Sequence, residues 1–298
     1  PVTGLPKGGP PVKGGTSGPQ ATPCVVGGRV VAVGYTGRVT ALDAATGKVA
    51  WQKDLAADFA AEPPEFGFAS SPVPLDGLVL VPAGGKRGPA LVALDPADGK
   101  EKWRTGADAA SCATPQVATL CGVRQVVHLS RNRLCGYSPA DGSELWAYTL
   151  PRAGLTNVPS PLVLSGDRVL ISGQGLKSGM QMMRVTKGGG RYAVEEVWKG
   201  DAQLFYCNAV AVGDTLFGAT ADEYGAVNLK DGEVIWTDKK WKNSNTVLAD
   251  GVPLVLRGDG RLSRCGLTAD GLTEVSGLDV TPHRTWTPPS VVGDTLYV

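Results

Sequence analysis

The sequence predicts an all-β fold, a β-propeller of four-stranded antiparallel blades, on three observations. First, one pattern recurs along the chain: a small residue, a polar residue two places on, Thr-Gly or Asp-Gly, and a closing Trp. Second, each copy is preceded by two short apolar strand-like runs, so a unit holds four strands and the units repeat at intervals in the forties. Third, no unit carries an amphipathic helix, which a solenoid of that period would need.

The pattern is complete at residues 41–51 (ALDAATGKVAW) and recurs at 93–103 (ALDPADGKEKW), 136–146 (GYSPADGSELW) and 226–236 (AVNLKDGEVIW), more faintly at 265–275 (CGLTADGLTEV). Gly47, Gly99, Gly142, Gly232 and Gly271 follow Thr or Asp, the hairpin signal in which Gly accepts positive φ. The polar position is held by Asp43, Asp95, Ser138 and Asn228. Trp51, Trp103, Trp146 and Trp236 close these copies, and Trp198 closes a variant hairpin whose turn is Gly188-Gly189-Gly190. A lone hairpin cannot bury an indole, so each Trp is expected to dock on a neighbouring unit, where its truncation costs ~3–5 kcal/mol.

In order, residues 1–20 read as a Gly/Pro/Lys-rich connecting segment from a missing blade. The repeats follow at about 21–54, 69–104, 113–149, 157–199, 207–238 and 245–276, with a partial blade at 284–298, all assigned to a single domain over 1–298. The first unit parses into strands a to d at roughly 22–26, 29–33, 38–42 and 49–53. Residues 54–69 interrupt the pattern with a helical turn on a long loop.

Composition narrows the function classes. Gly (41) and Pro (22) are abundant, yet 42% of the 298 residues are hydrophobic, so the punctuation belongs to turns of a folded chain. A net charge of +1 without a basic run removes the footprint of a nucleic-acid binder. No transmembrane segment is expected, because no stretch approaches 18 consecutive apolar residues. The six cysteines show no disulfide framework and read as small buried hydrophobes. With only His128 and His283, a zinc cluster or Ser-His-Asp triad has almost no material, and His128 reads as an ordinary strand residue. Gly173-Gln174-Gly175 with Gly179 mimics a dinucleotide loop, but no helix follows it. No catalytic and no metal-binding residues are expected.

The A-x-D-x-x-T-G-K-x-x-W pattern of residues 41–51 resembles the pyrroloquinoline-quinone (PQQ) type repeat of quinoprotein-like and BamB-like propellers. The segments GPQATP, GFASSP, VRQVV, VEEVW and RTWTPP make the chain similar to exported PQQ-binding-like propeller proteins over residues 15–298. The resemblance implies an eight-bladed ring, of which six blades and part of a seventh are present here, and an exported, periplasmic or cell-envelope location. It speaks to fold more than to function, because the repeat residues hold blades together.

Strand order puts the a–b and c–d turns on one rim, and the d-to-a connections and b–c loops on the other. The second rim carries the variation, at 54–69, 84–88, 174–179, 220–224 and 239–244, and is expected to be the functional face. Beside it, Ser71, Thr114, Asn157, Asn208, Asn245 and Trp286 stand where strand a begins, at the mouth of a central channel. They read either as a polar ligand site or as caps on their own strands. Trp241, in KKWKN, reads as a partner contact or as an indole lying flat on its blade. The resemblance extends to dehydrogenases that hold a quinone and calcium over the channel. Here such a site would recruit Asn157, Asn208, Trp286 and Asp222 or Glu223, and the adjacent cysteine pair common in those enzymes is missing. The expected function is a non-catalytic extracytoplasmic scaffold, without cofactor, that offers its loop face to a protein or polymeric ligand. The alternative is a PQQ- and calcium-dependent alcohol or sugar dehydrogenase.

Overall fold

In four of the repeats the c–d hairpin closes around one hydrogen-bond pattern. Gly47, Gly99, Gly142 and Gly232 donate their N–H to the carbonyls of Asp43, Asp95, Ser138 and Asn228, at 2.8 to 2.9 Å. The polar side chain reinforces the turn: Asp43 Oδ1 accepts from the Thr46 N–H at 2.9 Å, Asp95 Oδ1 from Ala97 at 2.9 Å and Asn228 Oδ1 from Lys230 at 2.9 Å. These bonds explain why that position is polar in the four copies that close with Gly47, Gly99, Gly142 and Gly232. The four glycines have φ between +69° and +80°, the left-handed region that a side chain resists.

A computed structural model describes residues 20–64, 67–84, 88–152, 157–173, 176, 179–204, 207–219, 222–268, 270–282, 285 and 288–297. The chain divides into two compact units, Pro1–Asn157 with Lys187–Tyr192, and Val158–Thr186 with Ala193–Val298.

The first unit holds three four-stranded antiparallel sheets in series. Their strands are β1 (Cys24–Val26), β2 (Arg29–Val33), β3 (Arg38–Asp43) and β4 (Val49–Asp54); β5 (Val73–Leu75), β6 (Leu78–Pro82), β7 (Leu91–Leu94) and β8 (Glu101–Thr105); and β9 (Gln116–Leu120), β10 (Val123–Leu129), β11 (Arg133–Tyr137) and β12 (Glu144–Thr149). A short helix, α1 (Leu55–Phe59), follows β4; Asp54 caps it by accepting from the Ala56 and Ala57 N–H groups, and it buries Leu55 and Phe59. The second unit, apart from the hairpin tip at Lys187–Tyr192, holds the sheets β13 (Leu162–Leu164), β14 (Arg168–Ser172), β15 (Met180–Gly188) and β16 (Arg191–Gly200); β17 (Val210–Val212), β18 (Thr215–Ala219), β19 (Tyr224–Asn228) and β20 (Val234–Asp238); and β21 (Asn245–Ala249), β22 (Val252–Leu256), β23 (Arg261–Thr268) and β24 (Gly271–Asp279). A two-stranded hairpin, β25 (Ser290–Val292) with β26 (Thr295–Tyr297), ends the described chain.

Consecutive sheets pack face to face within each unit. Val31, Val33 and Val39 of the first sheet meet Val79, Val81 and Val92 of the second, and Leu80, Leu91 and Trp103 of the second meet Val126 and Tyr137 of the third. In the second unit Leu170, Met182 and Trp198 meet Leu216 and Val227, while Phe217 and Tyr224 meet Val255 and Cys265. Inner strands such as β7 are buried on both faces and therefore read as continuous apolar runs, whereas the outermost β4 and β24 are largely exposed.

No disulfide joins any of the six cysteines. Burial pushes the Cys24, Cys112 and Cys265 thiols up to about 11 and Cys135 to about 12, which leaves them protonated and inert at neutral pH.

Candidate functional site

The closing tryptophans show how one repeat grips the next. Trp51 Nε1 donates to the Pro96 carbonyl at 2.8 Å, Trp103 Nε1 to Pro139 at 3.1 Å and Trp198 Nε1 to Leu229 at 3.0 Å. Each acceptor directly follows the polar turn residue of the next repeat. The turn glycine lies under the ring: a Cβ on Gly142 would stand 2.6 Å from Trp103, and one on Gly232 2.4 Å from Trp198.

The remaining two tryptophans differ. Trp146 turns back on its own sheet, where Nε1 donates to Gln125 Oε1 at 2.6 Å and Gln125 Nε2 donates to the Leu120 carbonyl at 3.0 Å. Trp236 packs beside Phe217 and Tyr224, with ring centroids 6.2 and 6.3 Å away, and its buried N–H has no acceptor among the described residues. The carbonyl-presenting turn is missing from the next repeat, because β23 runs straight to Thr268 and β24 begins at Gly271.

Two roles escaped the sequence reading. The small residue that opens each copy is the ladder partner of its Trp: Ala41 with Trp51, Ala93 with Trp103, Gly136 with Trp146 and Ala226 with Trp236, each followed by a register shift. Gln125 is fully buried as the acceptor for Trp146. Its only signal in the sequence is a lone amide inside VRQVV, where an unpaired polar group would be costly.

The polar residues that open strand a are bonded between repeats. Ser71 Oγ accepts from the Thr22 N–H at 2.9 Å, Thr114 Oγ1 from the Ser71 N–H at 3.1 Å, and Asn208 Oδ1 from the Ser160 N–H at 3.0 Å. Asn157 is 1% exposed; its Nδ2 donates to the Ser130 carbonyl at 2.8 Å and its own carbonyl accepts from the Cys112 N–H at 2.9 Å. Asn245 is buried at the first position of β21. Asn157 belongs to the first unit, Asn208 and Asn245 to the second. Trp286 and His283 lie outside the described residues, as do Gln174 and Gly175. Among the described residues no three His, Cys, Asp or Glu side chains gather as metal ligands would. The oxygens of Ser71, Thr114 and Asn208 each accept a backbone N–H group of a neighbouring repeat.

Trp241 corrects an expectation. It does not stand on an exposed loop as a partner contact; it is 1% exposed and packs in the core with Phe217, Tyr224, Val255 and Cys265. Lys239–Trp241 forms a 3-10 turn capped by Asp238, whose Oδ1 accepts from the Lys240 N–H at 2.8 Å, and this turn directs the indole inward. His128 is also buried, in β10, and burial lowers its pKa from 6.5 to about 4, so the imidazole is neutral at physiological pH.

Sheets of four antiparallel strands in series, with Trp51, Trp103 and Trp198 bonded to the turn of the next repeat, define a PQQ-type-repeat β-propeller. The chain belongs to the family described as outer membrane protein assembly factor BamB, whose family model matches residues 8–238. Among solved structures it is similar to BamB from Moraxella catarrhalis, at 17% identity and a TM-score of 0.51, over 93% of this chain and 90% of that one. It is also similar to the computationally designed Ika8 protein, at 11% identity and a TM-score of 0.55, over 94% of this chain and 93% of that one. At these identities the likeness is one of fold. A search of curated proteins finds no match.

Proposed function

We propose that this chain is a non-catalytic extracytoplasmic scaffold that binds a protein or polymeric ligand through its loop-rich rim. The observation that carries this reading is where the polar residues at the start of strand a spend their bonding. Ser71, Thr114 and Asn208 accept main-chain N–H groups of a neighbouring repeat, so they serve the joints between sheets and leave recognition to the loops. The family's description as an assembly factor of the outer membrane supports a protein partner and an exported location. No helix among the described residues is long and apolar enough to cross a membrane. Binding works by presentation: loops held on packed sheets lose little further conformational entropy on association.

Two assays on the full-length protein test the proposal. Calorimetric titration with PQQ and calcium, with dye reduction by simple alcohols, should give no stoichiometric binding and no turnover. Capture from an envelope extract should recover a defined partner that loop-face substitutions release. Tight quinone binding with substrate-dependent dye reduction would overturn the scaffold in favour of a dehydrogenase.

A further inference from the structure

In the second unit, Lys240 and Arg257, both set over the ring of the buried Trp241, line a cationic cleft. The cleft has a volume of about 400 Å³ and is lined by Lys240, Lys242, Asn243, Arg257, Asp259 and Pro282, with Gly258 between the last loops. One wall is the connection that follows β20, the other is the loop between β22 and β23. Both belong to the rim assigned above to binding.

The walls are held close to one another. A Cβ on Gly258 would stand 3.1 Å from both Asn243 Cβ and the Asn243 carbonyl oxygen, so the two loops touch through a residue without a side chain. The 257–261 loop is closed by the Gly260 N–H donating to the Arg257 carbonyl at 2.9 Å, and Thr285 Oγ1 donates to the same carbonyl at 2.7 Å. Trp241 then positions the charges. Lys240 Nζ lies 5.2 Å from the indole centroid and the Arg257 guanidinium carbon 5.9 Å, both within cation–π range. Among the described residues three cations line the cleft against one carboxylate, Asp259. Neither Lys240 nor Lys242 forms an ion pair with any described residue, while Arg257 is paired with Asp259.

We propose that this cleft is a recognition site for an acidic segment of a partner protein, with Lys240 and Lys242 meeting its carboxylates and Arg257 supporting them. The inference rests on the scaffold reading and names the chemistry of the partner. The charge arrangement favours dispersed carboxylates over a compact phosphate. A phosphate site draws on a free guanidinium fork, and Nη2 of Arg257 is engaged by Asp259, which leaves the two lysine ammonium groups as the unpaired cations of the cleft. The Trp241 ring holds Lys240 and Arg257 in place before a ligand arrives, so its carboxylates meet a field already partly arranged.

The test uses the full-length protein and a fluorescein-labelled hexaglutamate peptide, with hexaserine as control and inorganic phosphate as competitor. Hexaglutamate should bind, hexaserine should not, and binding should weaken steeply as salt shortens the electrostatic range. Lys240→Gln with Lys242→Gln, which keeps the stems over the apolar surface, should weaken binding about tenfold, as expected for two partly exposed charge contacts. Asp259→Asn should tighten it, a direction that loss of folding cannot mimic. Equal affinity of the double variant and the parent would overturn the proposal, as would phosphate displacing the peptide at concentrations equal to the peptide's own. A partner captured from extract and retained by the double variant would overturn this site while leaving the scaffold reading intact.

Discussion

The indole of Trp51 rests on Gly99: a Cβ added there would stand 2.8 Å from Trp51 Cδ2, while Trp51 Nε1 bonds the Pro96 carbonyl three residues earlier. A turn glycine thus does two jobs, taking a positive φ and leaving a flat surface for the ring of the preceding repeat.

Substitution separates those jobs. Gly99→Ala meets both a φ of +73° and the Trp51 ring, so left-handed strain and overpacking together should cost about 3 kcal/mol. Gly47→Ala, at φ +69° with nothing within 4 Å, should lose only about 1 kcal/mol. Denaturant unfolding of the pair gives the comparison, and equal losses would mean that the ring does not bear on Gly99.

Trp103 allows its bond to be weighed against its bulk. Trp103→Phe keeps a ring over Gly142 but leaves the Pro139 carbonyl without its donor, a loss of about 1 kcal/mol beyond the smaller area. Trp103→Ala removes the contact altogether and should cost ~3–5 kcal/mol. An unchanged melting midpoint for the alanine variant would remove the docking role.

Asn157 and Ser71 bond at different depths. Asn157→Ala withdraws a buried amide from the Ser130 carbonyl and should cost about 1–3 kcal/mol, whereas Ser71→Ala releases the N–H of an exposed Thr22 and should cost less than about 1 kcal/mol. Chemical denaturation midpoints read both. The reverse order would contradict the bonding described here.

His128 predicts a pH dependence. Its folded pKa of about 4 lies below the ordinary 6.5, so between these values the unfolded chain binds a proton that the folded chain refuses. Its contribution to stability is therefore complete above pH 6.5 and declines as pH falls toward 4. His128→Leu should flatten the stability-versus-pH curve in that window. An unaltered slope would place the titration elsewhere.

Trp241→Ala should cost ~3–5 kcal/mol as a core truncation, while Lys240→Ala, on the exposed side of the same turn, should shift stability by less than about 0.5 kcal/mol. Thermal melts of the two single variants decide it. Similar midpoints would return Trp241 to the surface.

The hairpins were legible because their determinants are local. A polar residue four places before Gly, as in Asp43 to Gly47 or Asp95 to Gly99, specifies its turn through bonds within a few residues. The candidate site was less legible. Ser71, Thr114 and Asn208 were visible as recurring polar positions, but their bonding partners lie 43 to 49 residues away, beyond what a local pattern can encode. KKWKN read as a loop because its lysines dominate it, and the capping bond from Asp238 that turns Trp241 inward carries no strong local signal.

By itself, then, the amino-acid sequence determined the repeated strand–turn–strand unit, its antiparallel all-β class and the positions of the Trp and Gly residues, since these follow from turn chemistry and the alternation of short apolar runs. Only the tertiary structure decided what each Trp grips. Trp51, Trp103 and Trp198 find a carbonyl in the next repeat, Trp146 finds Gln125 in its own, and the Trp236 N–H finds no acceptor among the described residues. The same residue in the same local pattern thus meets different fates, because hydrogen bonding and burial depend on which groups the neighbouring sheet brings within about 3 Å.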